Sequence, residues 1–381
     1  MTELFNPHSN EWLQNKFKIY KELQDRDTAY YSEKYNMYVI TRYDDVMSAL
    51  SDHDTFISGQ GNLIVEDPYR FGRTLGASDN PNHEILKNIA KNAYAKDNLE
   101  RIATLYREKV REALTDKTVI NLSDVADHTT AWAIAEILNL PYPKESIKDL
   151  IVDIQRHGPQ CVMHNHKPEL FDILIKMIIR AISSNKPIPG PGIYAEYVAA
   201  ERPEQWYGMS LFSGPTISGA SSMTGGIEFM ILDLYRENKY NEVLKNPALI
   251  PKAVNESLRF NASTGRFRRT ASKPVNLHGI DLQPGDAVAL CYDAANRDPR
   301  RWENPDLFDF ERNTAGLAFG HGLHACIALY FSKALMAVFL EECINIVGSY
   351  KITTDNKDLE YVMTASGNDD MISNIIMEKI N

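Results

Sequence analysis

The sequence has no Cys-x-x-Cys pair. Its four cysteines, Cys161, Cys291, Cys326 and Cys343, are scattered along the chain. That excludes a zinc ribbon or a thioredoxin-type redox motif, and it is not the dense pattern of a disulfide scaffold. Basic excess is lacking too. The 41 Lys and Arg against 51 Asp and Glu leave a formal net charge of -10, which argues against a general nucleic-acid binder. No run reaches about 18 uncharged apolar residues, so no membrane span is expected. The first residues, MTELFNPHSNEW, carry no basic stretch leading into an apolar one, so no secretory leader is expected. A cytoplasmic protein is the expectation. Internal repeats and low-complexity tracts are missing as well.

What is there is mostly helix. Hydrophobic residues make up 44% of 381, enough for a substantial core. Apolar residues recur at helical spacing in NLSDVADHTTAWAIAEILNL, KDLIVDIQRH and PELFDILIKMIIRAISS. The pattern from His83 to about Leu114 is helical too. A long helix is predicted from about Trp206 to Arg236. Its centre, SGPTISGASSMTGG, is poor in helix formers, so a kink is expected there. ALIPKAVNESLRF predicts a helix starting near Pro251. Strand character is confined to short pieces such as MYVITRY, FRRTAS, VNLHGIDL and DAVALCYDAA. FISGQGNLIVEDPYRFGRTLGASDNPNH has no period and reads as a long loop, a type that is often functional. The expected fold class is mainly α with a small β portion, in a single domain over residues 1–381.

One stretch concentrates chemistry: LAFGHGLHACIALYFSKALM, residues 317–336. Gly320 and Gly322 allow a tight backbone turn. Cys326 follows at the head of an apolar helix, where free backbone N–H groups favour a thiolate. A thiolate held this way can be the protein's ligand to a heme iron. A buried cysteine acting as a small hydrophobe is the alternative from the residues alone.

The stretch resembles the heme-binding loop of the cytochrome P450 superfamily, F-x-x-G-x-x-x-C-x-G. Phe319, Gly322 and Cys326 match, and Ala328 stands where the last glycine is usual. His324, two residues before the cysteine, resembles the residue that lies near a heme propionate. Other segments agree in order. NESLRF supplies an E-x-x-R pair, Glu256 and Arg259, whose spacing places both on one helix face. RDPRRWENPDLFDFER resembles the family's meander, with Asp298, Pro299, Pro305, Phe308 and Arg312. Arg269 matches an arginine that pairs with a propionate. DNPNHEILKNIAK resembles the motif D-x-P-x-H-x-x-x-R, with His83 as the propionate-binding histidine and Lys87 replacing the arginine. The lysine keeps the charge but loses the bidentate fork. The resemblance implies the cytochrome P450 fold, a triangular helical prism with a long central helix over the heme. It implies heme b with Cys326 as the axial iron ligand, and reducing equivalents from NAD(P)H through redox partners.

One departure bears on the reaction. The family's central helix usually carries an acid followed by Thr. Here Ala220 and Ser221 occupy those positions, and Ala220 cannot relay a proton. Glu228 lies about two turns further on, too far to substitute. Three readings follow: a monooxygenase with a water- or substrate-assisted relay; atypical heme-thiolate chemistry such as oxidative coupling, peroxide use or another radical reaction; or a non-catalytic heme protein or sensor. A heme-free small-molecule binder is a further alternative. By resemblance, the substrate pocket is lined by Asn62, Leu63, Ile64, Ser213, Ile217, Ser218, Ser221 and Thr264. Arg266 or Arg268 could reach a substrate carboxylate, although a solvated or propionate-facing arginine is the favoured role. The expected partners are a small-molecule substrate and separate electron donors, a ferredoxin and its reductase. Lys87, Lys91 and Lys333 are candidates for docking an acidic ferredoxin.

Overall fold

A computed structural model describes residues 3–158, 167–201, 204–355, 358–364 and 366–380. Cys161 lies outside them. Helices dominate, and the expected central helix runs through the middle of the core. It is continuous but not uniform. An α-helical part, Gln205–Gly214, passes through a π-helical turn, Pro215–Gly219, into the central helix proper, Ala220–Arg236. The cause is local. Pro215 has no N–H to give the ladder, and flanking glycines tolerate the altered path. Hydroxyls take up part of the slack. Thr216 Oγ1 donates to the Phe212 carbonyl at 2.7 Å, and Ser221 Oγ to the Ile217 carbonyl at 3.1 Å.

The central helix is buried almost all round. Ala220, Ile227, Met230 and Ile231 are fully inaccessible. The helices Leu122–Leu138, Ile250–Phe260 and Leu329–Glu342 pack against it. The first of these starts sharply because the Asn121 side chain accepts from the N–H groups of Ser123 and Asp124. It ends at Asn139, which adopts a left-handed conformation with φ 45°.

The helix expected from His83 to Leu114 is broken. Asn82–Ala90 is α-helical, Lys91–Tyr94 is a 3-10 turn, and Lys96–Leu114 is a second α-helix entered through an extended Ala95. The first of these helices carries His83 and Lys87. VNLHGIDL is likewise two short strands, Val275–Leu277 and Ile280–Leu282, joined through His278 and Gly279 at positive φ.

A five-stranded sheet runs in the order Tyr30–Ser32, Met37–Ile40, Ala287–Cys291, Arg266–Ala271, Phe56–Ile57. Met37–Ile40 and Ala287–Cys291 are parallel, with Val39 opposite Ala289. Arg266–Ala271 pairs antiparallel to Ala287–Cys291, with Arg269 opposite Val288. This sheet carries Arg269 to the site. A separate C-terminal hairpin, Glu360–Met363 with Asp370–Ser373, packs directly on the central helix.

Candidate active site

A cavity of about 780 Å³ lies between the central helix and the cysteine loop. Its size and mixed lining fit a small-molecule site. On the loop side it is lined by Phe319, Gly320, His324, Cys326 and Ala328. The loop is shaped by glycines in left-handed backbone, Gly320 at φ 67° and Gly322 at φ 72°. A Cβ on Gly322 would sit 2.6 Å from the Leu50 carbonyl oxygen, so no larger residue fits without backbone movement. Gly322 therefore shapes the loop and does not itself line the cavity. The Cys326 N–H donates to the Phe319 carbonyl at 2.9 Å, which closes the loop.

The Cys326 thiol faces the cavity three residues ahead of the helix Leu329–Glu342. Its environment differs from the expected one. Burial pushes the thiol up, and the Ala328 N–H and Lys87 only partly oppose that. Among the described residues, no cluster of three or more His, Cys, Asp or Glu could hold a metal ion. A metal bound at Cys326 must bring its other ligands with it.

Beside the cysteine, cationic and imidazole groups converge. Lys87 Nζ donates to the Leu323 carbonyl at 3.0 Å. The His83 ring stands between two carbonyl oxygens, Leu75 at 2.9 Å from Nδ1 and Leu323 at 3.1 Å from Nε2. Only a protonated ring donates to both, yet burial pushes the His83 pKa down. His324 lies next to it, ring centroids 4.2 Å apart. Its Nε2 is buried without a partner. Burial and then the charges of Arg269, His83 and Lys87 depress His324 to about 2. Arg269 completes the group, with Nη1 donating to the Arg268 carbonyl at 2.7 Å. This frustration is what an incoming anion would relieve. A flat metal complex with anionic side arms, such as heme b, matches the donor set.

The E-x-x-R pair lies behind the site. Glu256 and Arg259 are both fully buried, and Arg259 Nη2 meets Glu256 Oε1 at 2.7 Å. Arg259 also donates to the carbonyls of Asn296, Pro305 and Leu307. Arg312 Nη1 and the Asp309 N–H both reach Glu256 Oε1 at 2.8 Å. The helix Ile250–Phe260 and the meander are thereby locked together beneath the cysteine loop.

On the opposite side, Asn62, Leu63, Ser213, Ile217, Ser218, Ser221 and Thr264 line the cavity. Ile64 does not. Its N–H is held by Asn368 Oδ1 at 3.0 Å, and its side chain joins the core cluster around Phe5, Trp12 and Tyr20. Ala220 is also absent from the lining, being fully buried. Neither Arg266 nor Arg268 lines it. Arg266 is buried and paired with Asp370. Glu228 is unavailable as well, bound by Arg156 Nη2 at 3.2 Å and by the Ile372 N–H at 2.9 Å.

Sequence reasoning missed one residue. Asp369, at the tip of the C-terminal hairpin, lines the cavity. Its Oδ2 accepts from Ser221 Oγ at 3.1 Å, and its Oδ1 from Thr264 Oγ1 at 2.6 Å. The signal available was the turn-forming GNDD between EYVM and MIS.

A sequence profile described as cytochrome P450 matches residues 236–358. The chain is 23% identical to pulcherriminic acid synthase of Bacillus subtilis over 365 residues, covering 87% of this chain and 88% of that protein. It is 26% identical to cytochrome P450(BM-1) of Priestia megaterium over 384 residues, covering 91% and 90%. Its fold is similar to the heme domain of Acinetobacter radioresistens CYP116B5, with TM-score 0.85, 20% identity and coverage of 99% and 97%.

Proposed function

Because the chain belongs to the cytochrome P450 superfamily, we propose that it oxidises a small organic substrate with dioxygen inside this cavity. It is an oxidoreductase of the monooxygenase type, and its cofactor is heme b. When bound, heme supplies the binding and reductive activation of dioxygen. The chain's own residues do the rest. Cys326 would hold the heme iron through its thiolate. His83, Lys87, Arg269 and His324 would hold the anionic side arms. Glu256, Arg259 and Arg312 keep the loop in place. The cavity is the observation that carries this reading, because it sets a lone thiol and a frustrated cationic cluster opposite the polar face of the central helix.

The same reading treats residues 1–381 as one domain. It takes electrons from NAD(P)H through a separate ferredoxin and reductase. Lys87 drops out of the docking patch, since it donates into the cavity wall. Lys91, exposed, remains in it together with Lys333. No helix among the described residues is long and apolar enough to cross a membrane.

Reduction under carbon monoxide tests the assignment. The wild-type protein should give the red-shifted absorption band typical of a thiolate-ligated heme, and Cys326→His should lose it while still binding heme. A wild-type protein that takes up heme without that band would rule Cys326 out. A spectral-shift screen then identifies the substrate class. The buried Ala220 favours a second reading, atypical radical or peroxide-driven chemistry, because the central helix itself presents no acid.

A further inference from the structure

Inserting one atom of dioxygen into a C–H bond and reducing the other to water consumes two electrons and two protons. The electrons come from the redox partner. The protons must cross a mainly apolar cavity. Three carboxylates line it: Glu66, Asp67 and Asp369. Glu66 is bound by Arg70 Nη1 at 2.6 Å and by the N–H groups of Asn62 and Leu63. Asp67 is solvent-exposed and caps the turn at Pro68–Arg70. Only Asp369 is bonded to the central helix.

From this placement we infer that Asp369 is the proton source for dioxygen reduction, acting through the Ser221 hydroxyl. The inference rests on the monooxygenase reading above. The C-terminal hairpin thus supplies the acid that the central helix lacks at Ala220.

The placement is built in at several points. Gly225 of the central helix makes room for the hairpin, since a Cβ there would lie 2.6 Å from the Asp370 carbonyl oxygen. The Asp370 N–H donates to the Ser263 carbonyl at 2.7 Å, and Ser263 Oγ donates to the Ser222 carbonyl at 2.5 Å. Asn368 Nδ2 donates to the Arg266 carbonyl at 2.6 Å. Asp369 is held there without a cation of its own. Both its oxygens accept from neutral hydroxyls, and no ion pair to it occurs among the described residues. Its neighbour Asp370 takes the local cations, pairing with Arg266 and with Lys16 at 3.1 Å.

The electrostatics suit a donor. Burial raises the Asp369 carboxyl to about 6, and the negative charge of Asp370 adds to this. The hydroxyls of Thr264 and Ser221, together with Arg266, pull the other way. The carboxyl is therefore partly protonated near neutral pH. Once the carboxyl is protonated its bond to Ser221 reverses: Asp369 donates to Ser221 Oγ, and the Ser221 hydroxyl proton, freed from that contact, turns into the cavity and passes to the dioxygen being reduced there. Solvent then reprotonates Asp369.

Two measurements test this on the full chain. Infrared difference spectra of the heme-loaded protein should show a protonated-carboxyl band that titrates near pH 6. It should be absent in Asp369→Asn and shifted in Ser221→Ala. With NADPH, dioxygen, and a surrogate ferredoxin and its reductase, the wild type should lose activity as pH rises through that region. Asp369→Asn should lose this limb and release several-fold more peroxide per NADPH. Asp369→Glu should restore the limb in part. Adding Ser221→Ala to Asp369→Asn should cost nothing further. An unaltered pH profile and peroxide yield in Asp369→Asn would show the carboxyl to be a structural pin and overturn the proposal. So would a band that persists in that variant. The carbon monoxide spectrum reports Cys326 independently of all these readouts, so failure of the heme-thiolate reading is distinguishable.

Discussion

Asp369 has a consequence for stability at the scale of the single residue. Its pKa is raised to about 6 by burial, above the ordinary carboxylate value. The folded state therefore binds this proton more tightly than the unfolded state. Stability from this group is fully present below about pH 4 and falls as pH rises toward 6. The cost above that window is at most about 3 kcal/mol. Asp369→Asn cannot titrate. The melting temperature of the variant minus that of the wild type should therefore become more positive between pH 4 and pH 7. Calorimetric melts at matched ionic strength check this. A difference that stays flat would mean the side chain is not an isolated buried acid.

At the scale of the element, the lock between the helix Ile250–Phe260 and the meander carries the largest expected effect. Arg259 is fully buried and spends its donors on Glu256 and three carbonyls. Arg259→Met leaves Glu256 with Arg312 but strands those carbonyls. Removing one partner of such a pair costs about 3–5 kcal/mol, so little folded protein is expected at 37 °C. Arg312→Met should cost less, because Arg259 still neutralises Glu256. Denaturant titration of both variants orders them. This lock also marks how far the sequence was readable. E-x-x-R and the cysteine loop are local patterns, so both were legible. An irregularity in the central helix was legible as well, because SGPTISGASSMTGG is poor in helix formers; that it takes the form of a π-helical turn at Pro215–Gly219 was not. The break at Ala95 was not, since the apolar period continues across it. The C-terminal hairpin was missed because its strands have only four residues each and pair with each other and the central helix. The bond from Ser221 to Asp369 spans 148 positions, and no local spacing encodes it. Ile64 and Leu63 are adjacent in sequence, yet only the fold says which one faces the cavity.

At the scale of the whole molecule, the charge is distributed unevenly. The chain carries a net charge of -10, while the cysteine side of its cavity gathers Lys87, Arg269 and two imidazoles around an unpaired His324 nitrogen. The outside repels an anion that the inside holds. These two effects act at different moments of an encounter. Approach is governed by the long-range field, which salt screens over about 8–10 Å. Retention is governed by short contacts within the protein, which salt barely reaches. Adding salt should therefore speed the uptake of heme by cofactor-free protein and leave its escape rate nearly unchanged. Stopped-flow mixing across a range of ionic strengths measures both. The frustrated cluster thus acts as a kinetic trap for the cofactor, slow to fill at low salt and slow to empty at any.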